Sequence, residues 1–202
     1  FEKKDIDILV GTQMLTKGLD FRHVKLVGVL NADLLINFPD FRSHERSFQL
    51  LQQVSGRSGR GHVRGQVLIQ SFNPNYNVLQ QVSTNDYHKM FEEQTYQRRL
   101  YKYPPYYRLI KITLKHKDYI RVNEGADWLK TALYQVFKDH VLGPEFPPVP
   151  RIRNLFHKNI LIKIPNEQSI KKTKLILSKI RKSFLSTKAF RSVRVVVNVD
   201  NY

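Results

Sequence analysis

Two consecutive prolines, Pro104-Pro105, divide the chain and limit what each half can fold into. Proline removes a backbone donor from a helix, clashes with the preceding turn and holds the residue before it in an extended conformation. A helical pattern over residues 86–103 therefore has to end there. A chain of 202 residues is long enough for one large domain or two small ones. We expect two domains, residues 1–85 and 105–202, joined by a helical connector over residues 86–104.

The first half alternates strand and helix patterns. Apolar runs predict three buried strands, Ile6–Val10, Leu26–Leu30 and Gly65–Phe72. Ser43 is the expected N-cap of a helix between the second and third strands. Alternating strands and helices favour a parallel sheet with both faces covered, which binds ligands at the carboxyl ends of its strands. Gly11-Thr12-Gln13 and Asn31-Ala32-Asp33 follow two of these strands.

The second half has the pattern of a small α+β domain. Its apolar periodicity predicts strand, helix, strand, strand, helix and strand over Tyr107–Lys115, Tyr119–Val136, Val141–Pro144, Leu155–Ile164, Ser169–Leu185 and Val193–Val199. On the first of these helices the expected buried face is Ala126, Leu129, Leu133 and Val136. The order β-α-β-β-α-β is that of a ferredoxin-like sandwich, whose sheet often leaves one face in contact with water.

Charge points to a polyanionic partner. The formal net charge is +17 at pH 7, and most of the excess lies beyond Pro104. Such a field attracts phosphate backbones or anionic lipids, and the lack of a basic amphipathic anchor favours nucleic acid over membrane. The chain has no cysteine, which excludes disulfides and thiolate metal sites, and its seven histidines lack a metal-binding spacing, so we expect no metal site.

The sequence shows neither a membrane span nor a signal peptide. Because it starts at Phe1 and not at a methionine, we expect it to be a piece of a longer protein.

The segment Gln53–Gly61 places two arginines three residues apart, each directly after a glycine. A guanidinium is permanently charged and matches phosphate oxygens in pairs, and glycine allows a ligand to approach the backbone. Two such arginines at one point indicate a site for a polyphosphate or a nucleic-acid backbone. A basic turn that ends a helix is an equally good interpretation of this segment taken alone.

Two motifs together resemble a known superfamily. Gly-Thr-x-x-x-x-x-Gly-x-Asp, beginning at Gly11, and Gln-x-x-Gly-Arg-x-Gly-Arg, beginning at Gln53, resemble motifs V and VI of superfamily 2 helicases. The block Asp40-Phe41-Arg42-Ser43-x-Glu45-Arg46 is similar to the bacterial replication-restart helicases within that superfamily. The resemblance implies part of the second RecA-like lobe, of the P-loop NTPase type, followed by the α+β domain. Nearly the whole chain is covered.

The resemblance also implies roles for single residues. Arg60 and Arg57 match the arginines that act on the γ-phosphate of ATP, and we favour Arg60 as the arginine finger. Gln53, Gly18 and Asp20 match positions beside the nucleotide.

Contacts with DNA are implied for a second group. Thr12 matches the residue that holds a phosphate of the tracked strand, and Gln13 and Lys17 could add to that contact.

Cofactors follow from the resemblance as well. The sequence has no Gly-x-x-x-x-Gly-Lys-Ser/Thr phosphate loop and no Asp-Glu pair for magnesium. We therefore expect ATP and Mg²⁺ to be bound mainly by an upstream lobe, and the family's zinc-binding insertion to lie upstream too.

Structural interpretations stay open beside the functional ones. Thr12 can cap the helix that follows it, and Asp20 can be a turn residue. The remaining candidates can serve as a salt-bridged surface (Arg42, Glu45, Arg46), a solvated helix face (Lys171, Lys172, Lys174, Lys179, Lys182) or a packing cluster at the domain junction (Tyr101, Tyr103, Tyr106, Tyr107).

The expected function is the C-terminal part of an ATP-dependent 3′→5′ DNA helicase that restarts stalled replication forks, inactive as an isolated fragment. Its expected partners are forked or single-stranded DNA, single-stranded DNA-binding protein and primosome proteins, in the bacterial cytoplasm at the nucleoid. Two alternatives remain, an ATP-independent module that binds DNA or a protein, and another superfamily 2 translocase, including one that acts on RNA.

Overall fold

A computed structural model describes residues 5–12, 24–58 and 65–200. The chain forms two compact units, the first ending at Gln97 and the second beginning at Arg98. No helix in the described ranges is long and apolar enough to cross a membrane.

The first unit combines two strands with short helices. Its elements are β1 (Leu26–Val29), α1 (Asp33–Ile36), α2 (Ser43–Ser55), β2 (Gln66–Ile69), α3 (Asn77–Thr84) and most of α4 (Tyr87–Leu100). β1 and β2 pair in parallel, with Leu26 opposite Gln66 and Val29 opposite Ile69. The helices bury a core of Ala32, Ile36, Phe48, Leu51, Val78, Leu79, Val82 and Met90.

The structure corrects two expectations for this unit. Residues 5–12 form neither helix nor strand, and all of them are exposed, with Ile8 at 79% and Val10 at 80%. The prediction of a buried strand over Ile6–Val10 is therefore wrong. An apolar run becomes a strand only when a neighbour pairs with its backbone, and β1 and β2 pair with each other. The sheet is also not covered on both faces, because Leu26 and Leu68 remain 55% and 62% exposed. A sheet of two parallel strands does not confirm the RecA-like lobe, which stays a proposal.

The second unit has the predicted order of elements. They are β3 (Tyr107–His116), α5 (Tyr119–Phe137), β4 (Val141–Glu145), β5 (Arg151–Ile152), β6 (Leu155–Pro165), α6 (Ile170–Ser186) and β7 (Arg194–Val199), with a 3₁₀ turn (Lys138–His140) after α5. The sheet order is β4-β6-β3-β7, all pairs are antiparallel, and β5 forms a short hairpin with β6. The expected β-α-β-β-α-β order is thereby confirmed, with β5 as an addition.

The core of the second unit lies between one face of this sheet and the two helices. Alternate residues of β3 and β6 pack against α5, and the rings of Phe184 and Phe190 stack at 5.0 Å between centroids. Ala126, Leu129 and Leu133 are buried as predicted, but Val136 is 48% exposed and Phe137 takes its place in the core. The larger ring buries more apolar surface than valine would at the end of the helix.

Helix starts differ in how they are capped. The Asp118 carboxylate accepts hydrogen bonds from the backbone N–H groups of Ile120 and Arg121 and so caps α5. At α2 the prediction of a Ser43 cap is wrong, because Ser43 is already the first helical residue. Asp40 supplies hydrogen-bond acceptors at this end of the helix. Its carboxylate accepts from Arg42 N at 2.9 Å, and its carbonyl accepts from Ser43 N at 2.9 Å.

Candidate nucleotide and nucleic-acid interface

The end of α2 positions the first of the two motif arginines. Gly56 N donates to Gln52 O at 2.9 Å, and Arg57 N donates to Val54 O at 3.0 Å in a tighter turn. Arg57 therefore lies just past the last turn of the helix, with its side chain half-buried. A hydrogen-bonded helix end fixes the point from which its guanidinium extends.

The helix that carries this end is held firmly on its inner side. Phe48 and Leu51 are buried in the core of the first unit, and Gln52 Nε2 donates to Val82 O on α3 at 3.0 Å. Gln53, the next residue, is exposed. The sequence motif thus starts on the outward side of a rigidly packed helix, which is where a binding residue has to be.

Gly56 follows the last helical residue of α2 in an ordinary backbone conformation. Its φ of −67° is right-handed, and among the described residues the nearest atom to an added Cβ would be Gln52 O at 3.5 Å, an ordinary contact. Within the part of the chain that the structure describes, neither backbone strain nor crowding requires a glycine here. A glycine beside Arg57 also leaves room for a ligand to approach the backbone.

Several of the predicted site residues lie outside the described residues, namely Arg60, Gly18, Asp20, Gln13 and Lys17. Thr12 is described and exposed, in a segment without helix or strand. The structure thus describes Gln53 and Arg57 together at one helix end, and Thr12 in a separate segment.

Asn31-Ala32-Asp33, expected at a ligand-binding strand end, has a structural role instead. Asn31 Oδ1 accepts from Asp33 N at 3.1 Å, and the Asp33 carboxylate accepts from Ser71 Oγ and Phe72 N, each at 3.0 Å. These bonds tie the end of β1 to the end of β2. The oxygen atoms that could have bound a ligand are used within the fold.

The block around Asp40 forms a surface network. Arg46 Nη1 lies 2.8 Å from Asp40 Oδ2, and the Arg42 guanidinium lies 5.4 Å from the centre of the Phe41 ring. With the Arg46 side chain 48% exposed, such a pair contributes about 0–1 kcal/mol. The contacts favour the salt-bridged surface among the interpretations of this block.

Tyrosines at the start of the second unit contact basic side chains of the same unit. Lys163 Nζ lies 3.6 Å from the centre of the Tyr103 ring and donates to Tyr101 O at 2.6 Å. Arg99 lies 5.5 Å from the centre of the Tyr106 ring. Burial, and then the charge of Lys102, lower the pKa of Lys163. These contacts favour packing over base stacking for Tyr103 and Tyr106.

The basic residues of the second unit lie on two surfaces. Lys171, Lys172, Lys174, Lys179 and Lys182 are all exposed on α6, as a solvated helix face requires. The other surface, which the sequence analysis missed, is on the sheet, where Lys115 lies opposite both His157 and Arg194. Burial and the charge of Lys115 lower the pKa of His157. Only the strand register brings these three together, since they are far apart in sequence.

A metal centre is not indicated within the described ranges, where no group of three or more His, Asp or Glu side chains is arranged to hold an ion.

Comparison with known proteins gives a consistent result. The family described as "Primosomal protein N C-terminal domain" matches residues 99–202. The replication restart protein PriA of Bacillus subtilis is 35% identical over 100% of this chain, and that of Synechocystis is 41% identical over 82% of it. The same protein of Chlamydia trachomatis is 34% identical over 96% of the chain. The chain spans only 25%, 20% and 25% of the lengths of these three relatives.

Proposed function

The chain belongs to the PriA family of replication restart proteins, and from this membership we propose that it is the C-terminal part of an ATP-dependent DNA helicase that restarts stalled replication forks. The observation that carries the helicase proposal is the end of α2. It presents a half-buried Arg57 and an exposed Gln53 at one helix end, beside Gly56.

The proposed chemistry of this site is stabilisation of charge on a transferring phosphoryl group. Arg60 is the proposed arginine finger, and Arg57 is its partner on the same polyphosphate. A guanidinium aimed at the γ-phosphate stabilises the charge that spreads over its oxygens, which contributes about 10³–10⁵ to the rate of hydrolysis. The planar donor pairs of arginine suit phosphate better than the point charge of lysine does.

The remaining site residues have proposed supporting roles. Gln53 couples the nucleotide site to the DNA site, and Gly18 and Asp20 lie beside the nucleotide. Thr12 holds a phosphate of the DNA strand, with Gln13 and Lys17 beside it. Thr12 supports this assignment by being exposed and outside any helix or strand.

The nucleotide itself requires more than this chain. We propose that ATP and Mg²⁺ are bound mainly by an upstream lobe, since the 202 residues contain no phosphate loop. The donor set at the end of α2 suits the outer phosphate of such a nucleotide and not a metal ion. Zinc, where the family uses it, is bound upstream as well.

The proposed partners are forked and single-stranded DNA, followed along the 3′→5′ direction. Single-stranded DNA-binding protein and primosome proteins are proposed protein partners in the bacterial cytoplasm. The net charge of +17 supports a polyanionic partner, because each neutralised phosphate releases counterions.

Comparing the 202-residue chain with the intact protein tests whether ATP hydrolysis requires the upstream lobe. We expect DNA-stimulated ATP hydrolysis by the intact protein and no hydrolysis above background by the chain alone, at equal molar concentration. Phosphate release in a coupled assay is the measurement. Hydrolysis by the isolated chain would show that it assembles an ATP site by itself, which contradicts the proposal.

An ATP-independent DNA-binding module is the second candidate, and the concentration of positive charge in the second unit favours it. On that account the intact protein would bind forked DNA with a steep salt dependence but would show no ATP hydrolysis that depends on DNA.

A further inference from the structure

The sheet of the second unit has two unlike faces. Ile110, Ile112 and Leu114 of β3 point into the core beneath α5 and α6. Because successive residues of a strand point to opposite faces, the residues between them lie on the other side, which we name the outer face. In the register of β6, β3 and β7 the outer face includes Lys111, Thr113 and Lys115 of β3, His157 and Asn159 of β6, and Arg194 of β7.

Three basic residues stand side by side across this face. Lys115 on β3 is directly opposite His157 on β6 and, on its other side, Arg194 on β7. Neighbouring strands are about 4.8 Å apart, so the three side chains form a short line perpendicular to the strands. We name His157, Lys115 and Arg194 the basic row. Lys111 lies further along β3 on the same face.

Such an arrangement is unfavourable for the fold itself. Like charges directly opposite each other destabilise a sheet, and Lys115 adds to burial in lowering the pKa of His157. No carboxylate oxygen lies within 4.0 Å of the nitrogens of the row among the described residues. The acidic residue nearest in register is Glu145, which is opposite Asn159 on β4 and therefore beside the neighbouring row.

The surroundings of the basic row indicate what kind of contact it makes. In the next row Thr113 Oγ1 donates to Asn159 Oδ1 at 2.9 Å, and both residues are buried. These side chains satisfy each other, and Val196 beside them is aliphatic. Apart from the imidazole of His157 itself, no described residue in register with the row offers an aromatic ring for base stacking, while Arg194 is exposed and Lys115 is partly exposed.

We propose that the basic row binds the phosphate backbone of single-stranded DNA. Lys115 and Arg194 place two cations side by side across the sheet, next to His157, and a bound strand supplies the negative charge that no carboxylate supplies within 4.0 Å of them among the described residues. Recognition through the backbone alone carries no sequence information. The proposal rests on the proposed function only in naming DNA as the polyanion.

A matched pair of double variants tests this surface. In the 202-residue chain, Lys115→Gln/Arg194→Gln removes two charges from the basic row, and Lys171→Gln/Lys182→Gln removes two from the exposed face of α6. Affinity for a fluorescein-labelled oligothymidylate is measured by anisotropy over a range of salt concentrations, without nucleotide. We expect the row variant to bind about tenfold more weakly and its salt slope to fall by about 1.4, with a much smaller change for the α6 variant.

The midpoint of thermal unfolding distinguishes a binding role of the basic row from a structural one. Removing like charges that face each other should leave the Tm of the free chain unchanged or higher, so weaker binding cannot be attributed to misfolding. Equal losses of affinity in the two double variants would show that only the overall field matters and would overturn the proposal. Unchanged binding by the row variant would overturn it too, and would assign the row to a protein partner or to another part of the intact protein.

Failure here can be told apart from failure of the proposed function. Binding is measured without ATP, so an unaffected affinity leaves the arginine assignments at the end of α2 standing. In the intact protein the row variant should need more DNA for half-maximal stimulation of ATP hydrolysis while reaching the same maximal rate. A lowered maximal rate at saturating DNA would contradict a role confined to DNA binding.

Discussion

Gly143 in β4 is the residue whose identity the fold constrains most clearly. Its φ of +90° lies in a region that residues with a side chain rarely adopt. A Cβ built on Gly143 would also lie 2.8 Å from the backbone oxygen of Asn159, closer than any real contact. Both the backbone conformation and the space around it therefore require glycine at this point of the β4–β6 pairing.

The Gly143→Ala variant should lower the free energy of unfolding by about 2 kcal/mol, because the strained backbone persists and the neighbouring strand has to move. Urea unfolding followed by far-UV circular dichroism measures the loss, and fluorescence of Trp128, the chain's only tryptophan, assigns it to the second unit.

Gly28 provides the control, since no atom of the described residues lies within 4 Å of a Cβ added there. The Gly28→Ala variant should stay within about 0.5 kcal/mol of the parent. Equal losses in the two variants would contradict the steric account of Gly143.

Elements of the second unit were predictable because each was encoded locally. Alternating apolar residues in Tyr107–Lys115 and a helical face in Tyr119–Val136 place β3 and α5 nearly as the structure has them. The register between strands was not predictable, because it depends on residues far apart in sequence. That is why the opposition of Lys115 to His157 and Arg194 became visible only in the fold.

Elements of the first unit show where prediction from local apolar patterns fails. Ile6–Val10 has the composition of a buried strand, yet it is exposed and forms neither strand nor helix. Apolar composition indicates that burial of a segment is favourable. A strand forms only where the backbone of a neighbouring strand supplies hydrogen-bond partners. For the candidate site, the sequence placed Gln53 and Arg57 correctly at the end of a helix. It misassigned Asp33, whose carboxylate serves the strand ends.

Capping contributes to the stability of the longest helix. Asp118 Oδ1 accepts from Ile120 N at 2.8 Å and from Arg121 N at 3.3 Å, at the start of α5. Asp118→Ala should cost about 1 kcal/mol, because the first N–H groups of the helix lose their acceptor and a negative charge leaves the positive end of the dipole.

Asp127→Ala removes an equal charge from an exposed position within α5 and serves as the control for the cap. Its effect on unfolding by urea should stay within about 0.5 kcal/mol. If both variants lose the same amount, net charge and not the cap accounts for the effect.

At the scale of the whole molecule, charge and chemistry are divided between two units. The first unit carries the motif residues at the end of α2, and the second carries most of the positive charge. On the proposed function, the first unit acts on a nucleotide bound by the upstream lobe, and the second unit binds the DNA on which the motor works. On that proposal two arginines of the chain act on the nucleotide, and the remaining excess of positive charge attracts DNA.

The most direct test of this account is the rate of DNA-stimulated ATP hydrolysis in the intact protein carrying Arg60→Ala. We expect a fall of about 10³-fold or more with DNA affinity largely kept, because the guanidinium acts on the phosphoryl group and not on the strand. Lys89→Ala, which removes an exposed cation from α4, should hydrolyse ATP at the parent rate. Unchanged turnover in Arg60→Ala, with the DNA-binding affinity also unchanged, would contradict the central claim.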